Sequence, residues 1–144
     1  MFFVNVQAAI YENHKWLLIK RSEQEEHAAG QLALVGGTVD QELRAEKTLE
    51  ATLKREVDEE IGIEIDNLRY VNSSSFTTDS GEAVINVVFL CERRSGIPYM
   101  KSVDEVDAIL WQSTEEILRN PNIPLYLKKD ITEARKLIKE EKVI

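Results

Sequence analysis

Between Thr48 and Gly62 the chain reads TLEATLKREVDEEIG, and no other stretch limits its fold and chemistry as much. Thr48 is expected to cap a helix running from about Leu49 to Ile61. Gly62 is expected to end it in the left-handed conformation that a residue without Cβ adopts freely. Leu49, Leu53 and Val57 recur at i, i+4 and i+8 and form an apolar stripe. Glu56, Glu59 and Glu60 recur at i, i+3 and i+4, so their carboxylates share one face. The two faces adjoin on the helical wheel. The glutamates therefore border the buried side and look across the protein, while Asp58 points to solvent.

Such an arrangement is unfavourable by itself. Glu56 and Glu60 are like charges one turn apart, and acids near a helix C-terminus oppose its dipole. A hard divalent cation reverses both effects, since Mg²⁺ or Mn²⁺ takes carboxylate oxygens and keeps water in its shell. A generic acidic run is simply a solvated face. Here the Gly36-Gly37 pair, read as a turn before the helix, and Gly62 after it favour a cation site.

REVDEEIGI, Arg55 to Ile63, resembles position by position the R-E-U-x-E-E-x-G-U half of the Nudix box, where U is aliphatic. TLEATLK fills the positions ahead of its arginine, and Gly36-Gly37 is similar to the glycine pair that opens the box. The first half departs from the pattern G-x5-E-x7-R. Lys47 stands where its glutamate belongs, Glu46 replaces the usual preceding glycine, and Gly37 to Arg55 is four residues longer than the pattern. The extra length is expected in the loop around Asp40 to Ala45. Val35 and Leu32 also replace the proline and tryptophan common ahead of the glycines.

The resemblance implies an α+β chain with the Nudix fold, an α/β/α sandwich around a central mixed β-sheet. It also implies hydrolysis of the pyrophosphate bond of a nucleoside diphosphate linked to another moiety, with Mg²⁺ or Mn²⁺ as cofactor. Glu56, Glu59 and Glu60 match the metal-binding glutamates, and a carbonyl of Gly36 or Gly37 would join them. Arg55 matches the arginine that orients the glutamates, and it can reach Glu59 at i+4. Arg21, closing an early strand, stands where a basic residue often meets substrate phosphate. A solvated strand end is the commoner fate of such a residue. The general base is not fixed by the box. Glu105 is the first candidate, with Asp104 and Glu82 behind it, and each is equally readable as an ordinary loop acid. A non-catalytic domain of the same fold that senses a nucleotide is the alternative function. The intact REVDEE argues against it, since a pure binder has little use for three converging carboxylates.

The remaining sequence sets bounds. One domain is expected over residues 1–144. The formal net charge of −8 argues against a nucleic-acid or anionic membrane surface, so a nucleotide substrate would need cations to approach. No apolar run is long enough to span a bilayer, and no secretory leader is expected. The single Cys91 permits no internal disulfide, which makes a cytoplasmic location the expectation, and it reads as a small buried hydrophobe. His14 and His27 lack ligand-like spacing and are read as surface residues, His27 with an outside chance of bordering the substrate.

Along the chain, strands are expected over Phe2 to Tyr11, Trp16 to Arg21, Gln31 to Val35, Ile63 to Val71, Ala83 to Arg93 and Val106 to Trp111. The first two should form a hairpin around Glu12-Asn13-His14. Asn72 to Ser75 is open between a loop and an extension of the fourth strand. Ala83 to Arg93, almost continuously apolar, suits a central position covered on both faces. Ser113 to Glu116 starts a short helix that stops before Pro121. From Leu125 a last helix runs to about Lys142, with Leu127, Ile131, Ala134 and Ile138 on one face. That stripe would cover the sheet, or, as the second choice, a partner chain in a homodimer.

Overall fold

The computed structural model describes residues 1–25 and 28–142, so the reading of His27 lies outside the described residues. Its first strand, β1 (Phe2–Glu12), sets the architecture because it pairs on both sides. Val6, Ala8 and Ile10 point to one face and Ala9 to the other, and all four are fully buried. A strand buried on both faces must lie inside a covered sheet. On one edge β1 runs antiparallel to β4 (Val35–Thr38). On the other it runs parallel to β6 (Ala83–Ser95), from Phe2 beside Ala83 to Ile10 beside Cys91.

At its end β1 turns through Asn13 and His14, whose φ values of 50° and 65° make the left-handed pair that a tight hairpin requires. It then meets β2 (Lys15–Arg21) through Tyr11–Trp16 and Glu12–Lys15. That strand splays away to pair with β3 (Leu32–Ala33) and β7 (Val106–Gln112). β5 (Glu64–Thr77) closes the far edge against β6, antiparallel and interrupted by bulges. Parallel and antiparallel pairs thus mix in one sheet of seven strands. The Asn72 to Ser75 stretch is strand, an extension of β5.

Two long helices cover opposite faces. α1 (Thr48–Ile61) buries Leu53, Val57 and Ile61 against Val6, Ala8, Ile10, Leu17 and Phe89. α3 (Leu125–Lys142) buries Leu127, Ile131 and Ala134 against Ala9, Trp16, Leu18, Val88 and Leu90, with Ile138 at the margin. Its stripe therefore covers the sheet. The short α2 (Thr114–Arg119) is fixed at its start by a capping box between Ser113 and Glu116. The buried Trp16 indole also donates to Thr114 Oγ1 at 2.9 Å. Among the described residues, no helix is long and apolar enough to cross a membrane. The result is an α+β fold with helices on both sides of a mixed sheet.

Three expectations are corrected. Among the described residues there are seven strands rather than six, because the Gln31 to Val35 stretch breaks at Leu34 and a separate strand follows. Gly36 and Gly37 lie within β4, opposite Gln7 and Val6, and are not a turn. A Cβ on Gly36 would overlap the Val6 carbonyl, so the bare backbone is what allows this close pairing. Thr48 is not the cap of α1. Its hydroxyl donates backwards to the Ala45 carbonyl at 2.7 Å, and Lys47 takes the cap position. Lys47 sits there in a left-handed conformation, φ 51° and ψ 43°, with no side-chain bond to the helix.

Candidate active site

The C-terminal end of α1 organises the site. Gly62 ends the helix at φ 69°, its N–H bonded to the Asp58 carbonyl at 2.9 Å. The carbonyls beyond need other partners. The segment after β6 supplies them: Tyr99 N–H donates to Ile61 O at 3.0 Å, and Lys101 and Ser102 N–H both donate to Glu60 O at 3.1 and 3.2 Å. This strap continues to Glu105, whose backbone carbonyl accepts from the N–H of buried Ser22 at 3.0 Å, just past β2. Ser102 Oγ donates to the Glu105 carboxylate at 3.1 Å. Backbone bonds therefore tie the strap that carries Glu105 to the end of the helix at Glu60, one turn beyond Glu56.

Glu60 is the most constrained of the three. Its side chain is only 6% exposed, and Oε2 is buried with no hydrogen-bond partner among the described residues. Burial, then the charges of Glu105 and Glu56, push its pKa up to about 8, against the pull of Arg21 and the Gly36 N–H. Glu56 is also raised, first by burial and then by Glu59 and Glu105, with Arg55 opposing. Gly37 makes room for it: a Cβ there would overlap the Glu56 carboxyl carbon. β4 pairs only with β1 among the described strands, which leaves its outer edge to the helix.

Glu59 takes a different position. It is exposed and held by Arg55, whose Nη1 lies 3.3 Å from both of its oxygens and 3.3 Å from Glu56 Oε1. Arg55 thus bridges the outer glutamate to the half-buried one. Asp58 faces solvent and pairs with Lys101 at 3.6 Å, which adds a second tie between helix and strap. Arg21 lies 3.5 Å from Glu25 at the end of β2 and is near enough to Glu60 to lower its pKa. Asp104 is exposed on the strap beside Glu105. Glu82 belongs to the turn before β6, where it accepts from Ser80 and its N–H donates to Thr78 Oγ1.

The lengthened loop before α1 is a built structure. Asp40 Oδ1 accepts from Glu42 N–H at 2.9 Å, and Arg44 closes on the carbonyls of Gln41 and Leu43. Ser22, Ser102 and Tyr126 escaped the sequence reading. The two serines act on Glu105, and Tyr126 of α3 lies near Arg21. Single polar residues in irregular segments carry no periodicity that could have singled them out.

A cation fits this donor set. An orphaned buried oxygen, two carboxyls with raised pKa values and the nearby Glu105 carboxylate are a donor set that a hard cation would satisfy. In their present rotamers, no three acid, histidine or cysteine side chains among the described residues converge closely enough to hold a metal ion, so the glutamates would have to turn inward to share one.

The NUDIX domain model matches residues 1–134. The chain belongs to the NUDIX family. It is a Nudix-type pyrophosphohydrolase. No curated protein matches it in sequence. Among solved structures, it is similar to the MutT NUDIX hydrolase from Burkholderia pseudomallei, with 26% identity, a TM-score of 0.78, and 92% of this chain and 98% of that one covered. The MutT protein from Methanosarcina mazei Go1 is 27% identical at a TM-score of 0.74, with 96% of each chain covered. The NUDIX domain of Shewanella oneidensis NrtR, complexed with ADP ribose, shares the fold at 19% identity and a TM-score of 0.76, over 96% of this chain and 89% of that one.

Proposed function

We propose that this Nudix enzyme is a metal-dependent hydrolase that cleaves the phosphoanhydride bond of a nucleoside diphosphate linked to another moiety. One observation carries the reading: Glu60 is buried, leaves an oxygen unpartnered and lies within electrostatic reach of Glu56 on its own helix and Glu105 on the strap. Glu56, Glu59 and Glu60, with a carbonyl of Gly36 or Gly37, would hold Mg²⁺ or Mn²⁺, which neutralises pyrophosphate charge and lowers the pKa of bound water.

The chain's own residues do the rest. Arg55 fixes Glu59 and Glu56 relative to each other. Glu105, whose carboxylate accepts from the Ser102 hydroxyl, would take a proton from the attacking water as general base. Arg21 offers the positive charge that a diphosphate oxygen requires, at the border between the acids and Tyr126. ADP ribose, the ligand of the NrtR domain, belongs to the proposed chemical class.

The test is hydrolysis of nucleoside diphosphate sugars, dinucleoside polyphosphates and nucleoside triphosphates, each with Mg²⁺ and with Mn²⁺, and with products identified. Metal-dependent release of a nucleoside monophosphate is expected, together with its loss in Glu60→Gln. Metal-independent turnover would reject the mechanism. Tight nucleotide binding without turnover would favour the sensing domain.

A further inference from the structure

The strand β5 ends the sheet, and its two halves are built differently. From Glu64 to Val71 its pairing with β6 shifts register three times, and the stretch carries Glu64, Asp66 and Arg69. Bulges and charges of this kind keep a sheet edge from pairing with another chain. From Asn72 to Thr77 the register is unbroken, with Asn72 beside Val88 through to Thr77 beside Ala83. Ser73, Ser74, Ser75, Phe76 and Thr77 are all exposed, and no charged residue or proline stands between Tyr70 and Thr78.

The turn that follows fixes which backbone groups face outward. Thr78 N–H donates to Glu82 O, and Gly81 N–H donates to Thr78 O, both at 2.9 Å. Thr78 therefore spends both of its backbone groups toward β6. In an antiparallel pair such residues alternate along the strand. Phe76, Ser74 and Asn72 accordingly bond inward with Val84, Asn86 and Val88, and Ser73, Ser75 and Thr77 turn N–H and C=O to the open edge. Among the described residues, these three make no backbone bond outside the sheet. An exposed, regular row of such donors and acceptors is a template for one more strand.

We propose that this edge joins two copies of the chain, antiparallel, about a two-fold axis at Ser75. In that register Ser75 faces Ser75, and Ser73 faces Thr77 in both directions. Every outward residue then finds an outward partner, with two backbone bonds at each pair. The facing hydroxyl side chains suit one another across the strands, and on the opposite face Phe76 lies beside Ser74 of the second copy. Charge favours a second copy at this place. Each chain carries a formal −8, so two copies repel over most of their surface and approach closely only where it is neutral. A contact this narrow buries less than the about 800 Å² per partner of a standard interface, so the dimer is reversible. Nothing in the proposal depends on the proposed activity.

Sedimentation equilibrium of the full chain tests it. As concentration rises, the average mass should climb from 16.5 kDa toward twice that value. Ser75→Pro should hold it at one chain, because it removes an outward N–H and no bond within the molecule. Ser75→Lys should do the same by setting like charges face to face, and it serves if the proline disturbs the strand. The register is read by oxidation. Ser75→Cys should yield a covalent dimer, since the facing Cα atoms would lie about 5.5 Å apart. Ser73→Cys should not, since its two copies would sit about 13 Å apart along the strands. A single-chain mass at every concentration overturns the proposal and leaves the edge to an extended segment of another protein. A dimer that survives both Ser75→Pro and Ser75→Lys also overturns it, as does cross-linking at position 73 equal to that at 75.

Discussion

Glu60 links pH and stability at one carboxyl, and in the proposed reading the metal as well. Its folded pKa is raised to about 8 from an ordinary 4.5, so between those values the folded chain holds a proton that the unfolded chain has released. The stabilisation is fully present below about pH 4.5 and is lost as pH rises through 8. Glu56 and Asp130, both raised by burial, act in the same direction. The melting temperature of metal-free protein should therefore fall between pH 5.5 and pH 8.5. Glu60→Gln should flatten that slope, and so should saturating Mg²⁺, which takes the place of the proton. A slope unchanged by both would show that Glu60 is ionised without cost. The same substitution should lower kcat by roughly 10²–10³-fold while leaving the metal-free melting temperature at pH 8.5 equal or higher.

At the scale of elements, α1 separates packing from chemistry on its two faces. Leu53 is fully buried against the sheet, so Leu53→Ala should lose about 2–5 kcal/mol in denaturant unfolding, with activity per folded molecule retained. Lys47→Glu should change turnover only modestly, because Lys47 is exposed and makes no side-chain bond to the helix. A large gain would mean that the lysine weakens the site. The helix, its apolar stripe and its glycine stop were legible in the sequence because a 3.6-residue period and an obligatory left-handed residue leave local marks. The last helix was legible for the same reason and spans Leu125–Lys142 as expected. The cap was not, because a threonine hydroxyl can either accept from the free N–H groups of a helix start or donate to a carbonyl, and the loop offered that of Ala45. Nor was the placing of the glycine pair, since a glycine marks a turn and a close strand pairing equally well. The sequence could group Glu56, Glu59 and Glu60 on a face, but not show that Glu59 stays outside with Arg55 while Glu105 turns toward the other two.

Considered whole, the molecule carries a formal charge of −8 and is proposed to act on an anion. Its field would repel such a substrate at long range, with Arg21 and the proposed metal ion opposing that locally. Added salt screens the repulsion over a Debye length of about 8–10 Å near physiological ionic strength. With metal saturating, kcat/KM should therefore rise with modest additions of an inert monovalent salt, and kcat should stay flat. A fall in kcat/KM would mean that local basic residues dominate the approach.

The unequal ends of α1 have a further consequence. Three backbone bonds from the strap stitch its last carbonyls, and the ring of Tyr99 fills the space where a Cβ on Gly62 would go. At the other end a solvent-facing lysine and a self-contained loop lead in. Insertions and substitutions at the entrance move nothing that touches the carboxylates, whereas a single added atom at the exit would shift the strap and Glu105 with it. Substitutions should therefore be tolerated at the entrance far better than at the exit, which is the pattern expected of a motif that matches its family from Arg55 onward and departs from it at Lys47.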